Sequence, residues 1–204
     1  MRQETVTPPR LAPERRRELI VQAARASILE RGLAATSVRE VARAAGVSLG
    51  TVTYHFPTLD ELLTEVLSVT LRDFYRPRRR RMAPDATAVD RLRVLIEDHF
   101  SSPDLYEQCV IWLEYWPRAI HVPSARAWRR RRYGAYQRYI ARVLAAGREA
   151  GEFEVEDPGE LATEFLALFD GLSVALVVED IDMEFARRSL GRFLESRLLI
   201  DLAG

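Results

Sequence analysis

The sequence predicts an all-α protein with a small N-terminal helical domain and a larger helical domain after it. Apolar residues recur at helical spacing in successive segments, as in Leu62, Leu63, Val66, Leu67 and Leu71. No strand-like alternation and no internal repeat stands out. The 204 residues suffice for a small and a larger domain sharing a core.

The elements follow in order. Residues 1–13, with Pro8, Pro9 and Pro13, read as a disordered arm. Glu14 to Arg31 reads as a helix stopped by Gly32, with Leu19, Ile20, Ala23, Ala24 and Ile28 on one face. Two short helices fill 36–55, and 14–60 forms the first domain. Leu59 to about Phe74 is a fourth helix. The run RPRRRR at 76–81 reads as a charged break, either solvated face or loop. Within the second domain, 61–204, a helix spans Ala88 to Phe100. Tyr106 to Trp116 is strongly aromatic and ends at Pro117. Ser124 to Gly147 is a long helix with an Arg-rich opening. Pro158 to about Glu179 is a helix apolar nearly all round, and Met183 to Leu202 is the last. Glu164 and Asp170 interrupt the apolar runs of 158–179, which are too short to span a membrane.

The stretch Thr36 to Leu63, TSVREVARAAGVSLGTVTYHFPTLDELL, is the most informative. Thr36 or Ser37 can cap a helix, and Ser37-x-x-Glu40 has the spacing of a capping box. Val41, Ala42 and Ala45 then face a small core. Gly46 stands where that helix must stop, a position open to glycine at left-handed φ. Val47 is the apolar residue of the turn, Ser48 can cap a second helix, and Val52 points back to the core. Leu49, Gly50, Thr51, Thr53, Tyr54 and His55 are left for the outside, a set that suits the major groove and its phosphates. The same residues contain Gly46-Val47-Ser48-Leu49-Gly50, the G-x-S-x-G of a hydrolase nucleophile elbow. That elbow needs a buried strand before it, and the preceding REVARAA is helical in pattern.

This block resembles the DNA-binding domain of the TetR family of bacterial regulators. The matching pieces are Thr36-Ser37-Val38-Arg39-x-Val41-Ala42, Ala45-Gly46-Val47-Ser48, Gly50-Thr51-Val52, Tyr54-His55-Phe56-Pro57 and Glu61-Leu62-Leu63. Ile20 to Gly32 fits the family's first helix. The close resemblance covers about a quarter to a third of the chain. It implies contacts to double-stranded operator DNA from Thr36, Ser37, Val38, Arg39, Ser48, Leu49, Gly50, Thr51, Thr53, Tyr54, His55 and Thr58. The family often has a phosphate-contacting Lys where Leu59 stands, so salt-sensitive affinity is either lower here or supplied elsewhere by Arg, and Thr58 remains as a cap and hydrogen-bond donor.

Composition narrows the function. All 30 basic residues are Arg, which excludes a P-loop lysine and a lysine Schiff base. The net charge is zero, so nucleic-acid binding would rest on local basic faces such as Arg15–Arg17, Arg39 and Arg43. The single Cys109 excludes an internal disulfide and fits a reducing cytoplasm. His55, His99 and His121 show no metal-binding spacing. No secretory signal, membrane span, cofactor or catalytic constellation is expected.

The second domain is where the resemblance places a small-molecule effector. An aromatic cluster lies there: Phe100, Tyr106, Trp112, Tyr115, Trp116 and Trp128. Helical spacing puts Cys109, Trp112 and Trp116 on one face with Tyr115 beside it. Phe169 and the acids Glu114 and Asp170 complete the candidates. Aromatic faces with a carboxylate suit an aromatic or cationic effector; the same aromatics can equally fill core. The last two helices carry enough apolar surface for a dimer interface, with Phe165, Leu168, Phe169, Leu172, Leu176, Phe193 and Leu194 as candidates. The resemblance implies a homodimer, released from a palindromic operator when the effector binds. An activator of the same fold and a helical small-molecule binder without DNA contact are the alternatives.

Overall fold

The computed structural model describes residues 12–81, 85–100 and 104–200. Among these the regular structure is helical throughout: α1 (Pro13–Arg31), α2 (Val38–Ala44), α3 (Leu49–His55), α4 (Leu59–Arg81), α5 (Ala88–Phe100), α6 (Leu105–His121), α7 (Pro123–Glu149), α8 (Pro158–Val177) and α9 (Met183–Leu198). The chain divides after Ser68, inside α4, into two compact units. Most of the expected arm, residues 1–11, lies outside the described residues, and Pro13 already opens α1.

In the first unit α1 buries Ile20, Val21, Ala24 and Ile28 against Val41, Ala42 and Val52 of the two short helices. Leu62, Leu63, Val66 and Leu67 of α4 are equally buried. Seven-residue helices are not stable alone, so this small core and the caps hold them. Polar ties lock the frame. Arg31 donates to Ser27 Oγ at 3.1 Å and to Glu40 at 3.2 Å, joining α1 to α2. Arg17 donates to Glu65 at 2.7 Å while its guanidinium lies 4.8 Å from the Phe56 ring centroid.

The second unit is built on the pairing of α7 with α8, with α5, α6 and α9 packed around it. Ile140 and Leu144 of α7 meet Leu161, Phe165 and Leu166 of α8, with Leu92, Leu105, Leu190 and Leu194 in the same core. Glu152, in the turn after α7, accepts from the backbone N–H groups of Ala88 and Val89 at 3.0 Å each and so caps α5. Asp157 and Asp182 cap α8 and α9 through their side chains.

Three expected boundaries are corrected. Pro117 does not end its helix: α6 runs on to His121 with the proline inside it. A proline ring fixes φ near the helical value and removes only one donor, and Arg126 caps the far end by donating to the carbonyls of Ala119 and Ile120. The 76–81 run is not a break, because α4 continues to Arg81. The last helix stops at Leu198, where Leu199 takes a left-handed φ of 54°.

The dimer candidates also divide. Phe165, Leu172 and Leu194 are buried in the chain's own core, and Phe169 is buried with them. Leu168, Leu176 and Phe193 are half-buried at its edge. A helix apolar nearly all round serves two faces, and sequence alone does not separate them. The outer stripe of α8 is Ala167, Gly171 and Val174, continued by Val178 just past its end. No helix among the described residues is long and apolar enough to cross a membrane.

Gly147 marks the tightest contact in this unit. A Cβ there would lie 2.2 Å from the Phe153 ring and 2.7 Å from Ala88 Cβ. Gly147→Ala is expected to cost about 1–3 kcal/mol, the range for overpacking. A lower urea midpoint with an unchanged slope would show it; an unshifted midpoint would mean that the α5–α7 contact yields freely.

Candidate DNA-reading helix and effector cavity

The turn between α2 and α3 is set by backbone chemistry. Ser37 Oγ accepts from Glu40 N at 3.3 Å, and Glu40 accepts from Ser37 N at 3.1 Å, completing the capping box. The Ser37 hydrogen bond holds the Glu40 carboxyl below its ordinary range. Gly46 has φ 65° with nothing near its missing Cβ, so the backbone conformation, not crowding, asks for glycine. Ser48 Oγ accepts from Thr51 N at 3.1 Å and caps α3. Its hydroxyl is therefore a cap between two helices, with no strand before it, unlike a hydrolase elbow.

The expected DNA-contacting residues separate by exposure. Tyr54 is 81% and Leu49 46% exposed. Ser37, Arg39, Ser48, Gly50, Thr53 and Thr58 are also exposed, whereas Val38, Thr51 and His55 are half-buried. Thr36 is corrected: it is 4% exposed, and its hydroxyl donates to Gly32 O at 3.0 Å and pairs with Ser27 Oγ at 3.2 Å. Its polar atom serves the first unit's own framework. Thr58 Oγ1 accepts from Glu61 N at 3.2 Å, capping α4 beside Leu59. The Tyr54 and His55 rings meet edge to face at 5.3 Å.

Inside the second unit lies a cavity of about 70 Å³ among α6, α7 and α8, with Leu71 of α4 and His99 of α5 completing its wall. That is room for several waters or a small effector, not a drug-sized one. Cys109, Trp112, Phe169 and Asp170 line it, four of the eight expected ligand residues. The other four do not. Phe100 is buried 6.0 Å from Phe169. Tyr115 and Trp128 pack on each other at 5.5 Å. Trp116 lies under Arg129 at 4.7 Å. Tyr106 is exposed, and Glu114 is half-buried and not part of the lining.

Sequence reading missed the other eight lining residues, Leu71, His99, Gln108, Arg132, Tyr133, Tyr136, Leu166 and Ser173. Tyr133 and Tyr136 share a helix face at i, i+3. That spacing was legible; which helix it faces was not.

Asp170 is the chemical centre of the cavity. It accepts from the Tyr133 hydroxyl at 2.8 Å. Burial pushes its carboxyl above the ordinary range, against the lowering effect of the Tyr133 hydrogen bond, the Arg129 charge and a Trp112 hydrogen bond. Burial likewise raises the Tyr133 hydroxyl, helped by Asp170. The Cys109 thiol is pushed up to about 11, chiefly by burial, so it is a protonated, apolar wall at neutral pH. The His99 ring sits 3.9 Å from Phe169.

A capped, outward-facing helix after a tight turn, carried with an aromatic cavity in a separate helical unit, defines a one-component DNA-binding regulator. The chain belongs to the TetR family. Residues 20–66 match the bacterial regulatory proteins of the tetR family, and residues 88–199 match the BetI-type transcriptional repressor C-terminal family. The HTH-type transcriptional regulator BetI of Cronobacter sakazakii is 31% identical over 198 residues, covering 92% of this chain and 93% of that protein. A TetR-family regulator from Rhodococcus sp. has a TM-score of 0.82 at 28% identity, covering 90% of this chain and 98% of that one. A transcriptional regulator from Saccharomonospora viridis, solved in complex with choline, has a TM-score of 0.83 at 26% identity, covering 91% and 98%.

The raised Asp170 pKa makes a stability prediction. The folded chain holds this proton more tightly than the unfolded one, so the Asp170 contribution is lost as pH rises from the ordinary value, about 3.9, through the raised one. Asp170→Asn should therefore melt higher than the parent at pH 7. The difference should shrink toward acid. A lower melting temperature at pH 7, or a pH-independent gap, would contradict the burial argument.

Proposed function

We propose that this chain is a homodimeric, cytoplasmic repressor released from a palindromic operator when a small organic cation enters the α6–α8 cavity. The observation that carries the effector assignment is Asp170, a carboxylate in the wall of an aromatic-lined cavity with Tyr133 as its hydrogen-bond donor. Aromatic faces and a half-buried carboxylate together favour a quaternary ammonium over a neutral or anionic ligand. Choline is the first candidate, since the Saccharomonospora relative is complexed with it.

The DNA side rests on α3. Tyr54, Thr53 and Gly50 face outward, and a Cβ at Gly50 would meet only Ser48 Oγ at 3.8 Å. Nothing within the chain demands glycine there, which leaves the surface low enough for close approach of a phosphate. One short helix reads few bases, so two half-sites about 34 Å apart are needed for useful specificity. The outer stripe Ala167, Gly171 and Val174 of α8, continued by Val178 and with Leu168, Leu176 and Phe193 at its edge, supports the dimer face. Leu71 of α4 lines the cavity, while Leu62 and Leu67 of the same helix lie in the first unit's core. Helix α4 is thus the carrier of the population shift, driven by the effector's unequal affinity for the two states.

Fluorescence anisotropy with the DNA upstream of the chain's own gene tests this reading, using unrelated competitor DNA and two salt concentrations. Tight, competitor-resistant binding at dimer stoichiometry that choline weakens is the expected result. Binding that is weak, erased by salt or indifferent to every quaternary ammonium would reject it. Tyr54→Ala and His55→Ala should each lose about tenfold or more in operator affinity, as for loss of a base contact, and remain dimeric.

A further inference from the structure

The aromatic wall beside the cavity already holds a cation. The guanidinium carbon of Arg129 lies 4.7 Å from the Trp116 ring centroid, 4.7 Å from Tyr133 and 6.0 Å from Trp112. Aromatic faces gathered around one positive charge are how proteins hold ammonium groups. Trp112 and Tyr133, nearly parallel with centroids 6.5 Å apart, are also cavity-lining residues next to Asp170. The box and the cavity therefore share two rings, while Arg129 and Trp116 stand just outside the lining and Arg132 is part of it. Arg129 is half-buried, and its charge already acts on Asp170.

We propose that Arg129 is an intrinsic plug: it fills the box of Trp112, Trp116 and Tyr133 while the effector is absent, and a quaternary ammonium binds by displacing it. A second cation brought to the ring faces that Arg129 covers meets like-charge repulsion and finds those faces occupied. The plug has a quantitative consequence. A site competent only when Arg129 is out binds with its intrinsic affinity divided by the open fraction. It also tunes specificity, since a cation must outcompete a guanidinium already stacked on aromatic faces. The inference rests on the cationic-effector reading above.

The test is a tryptophan-fluorescence titration of the full-length protein with tetramethylammonium chloride, with sodium chloride as the ionic-strength control. Arg129→Gln and Arg129→Met, the latter keeping an apolar stem over the rings, should each bind about tenfold tighter than the parent, the gain for a box that is plugged nine-tenths of the time. Arg129→Lys, which keeps a cation, should stay near the parent affinity. Far-UV circular dichroism checks that each variant is folded. Parent binding with no tightening in either neutral variant would overturn the plug and leave the cationic effector standing. Binding by none of the four proteins would overturn both.

Discussion

A carboxylate placed on an apolar helix is costly unless donors and countercharge meet it. Asp170 on α8 is that group, and the surrounding helices are arranged to answer it. Tyr133 from α7 donates to it at 2.8 Å, and the Trp112 indole from α6 and the Arg129 charge both favour its ionised form. Helices α7 and α8 are thereby joined at a polar point beside a largely apolar core. Their packing leaves a cavity there. An uncharged residue would serve stability better, which is the cost that the proposed effector site would carry.

The first unit follows a different rule. Its short helices α2 and α3 depend on caps, a left-handed glycine and a small core. Bonds such as Arg31 to Glu40 and Arg17 to Glu65 fix the frame from outside. Exposed ion pairs contribute little energy individually; their service here is orientation. On the proposed reading, position matters more than stability for α3, since side chains that read base edges need a fixed register.

The two halves were not equally legible in sequence. Ser37-x-x-Glu40, Gly46 and Ser48 each state a backbone requirement within a few residues, so the helix-turn-helix could be placed from local chemistry. Thr36 misled because a hydroxyl at a helix start reads the same whether it faces DNA or, as here, Ser27 Oγ and Gly32 O. In the second unit the helices were visible but their partners were not. The aromatics of α6 split between cavity (Trp112), core (Tyr115) and the Arg129 stack (Trp116) within five residues. Helical periodicity gives a residue's angle around its own axis. It does not give the neighbour at that angle, and for α8, apolar on nearly every side, even the inward face was ambiguous. Tyr133 was invisible for the same reason, since its role exists only through Asp170, 37 residues away.

The most direct measurement of the central claim is linkage. The affinity for choline should be determined by calorimetry on the free dimer and again on the dimer saturated with its operator. If one chain couples the Asp170 cavity to the α3 surface, choline must bind the operator complex more weakly. The factor must equal the one by which choline lowers operator affinity, about 5–150-fold for ordinary allosteric coupling. Equal choline affinity in the two states would show that the cavity binds without controlling DNA, and the account would fail at its centre.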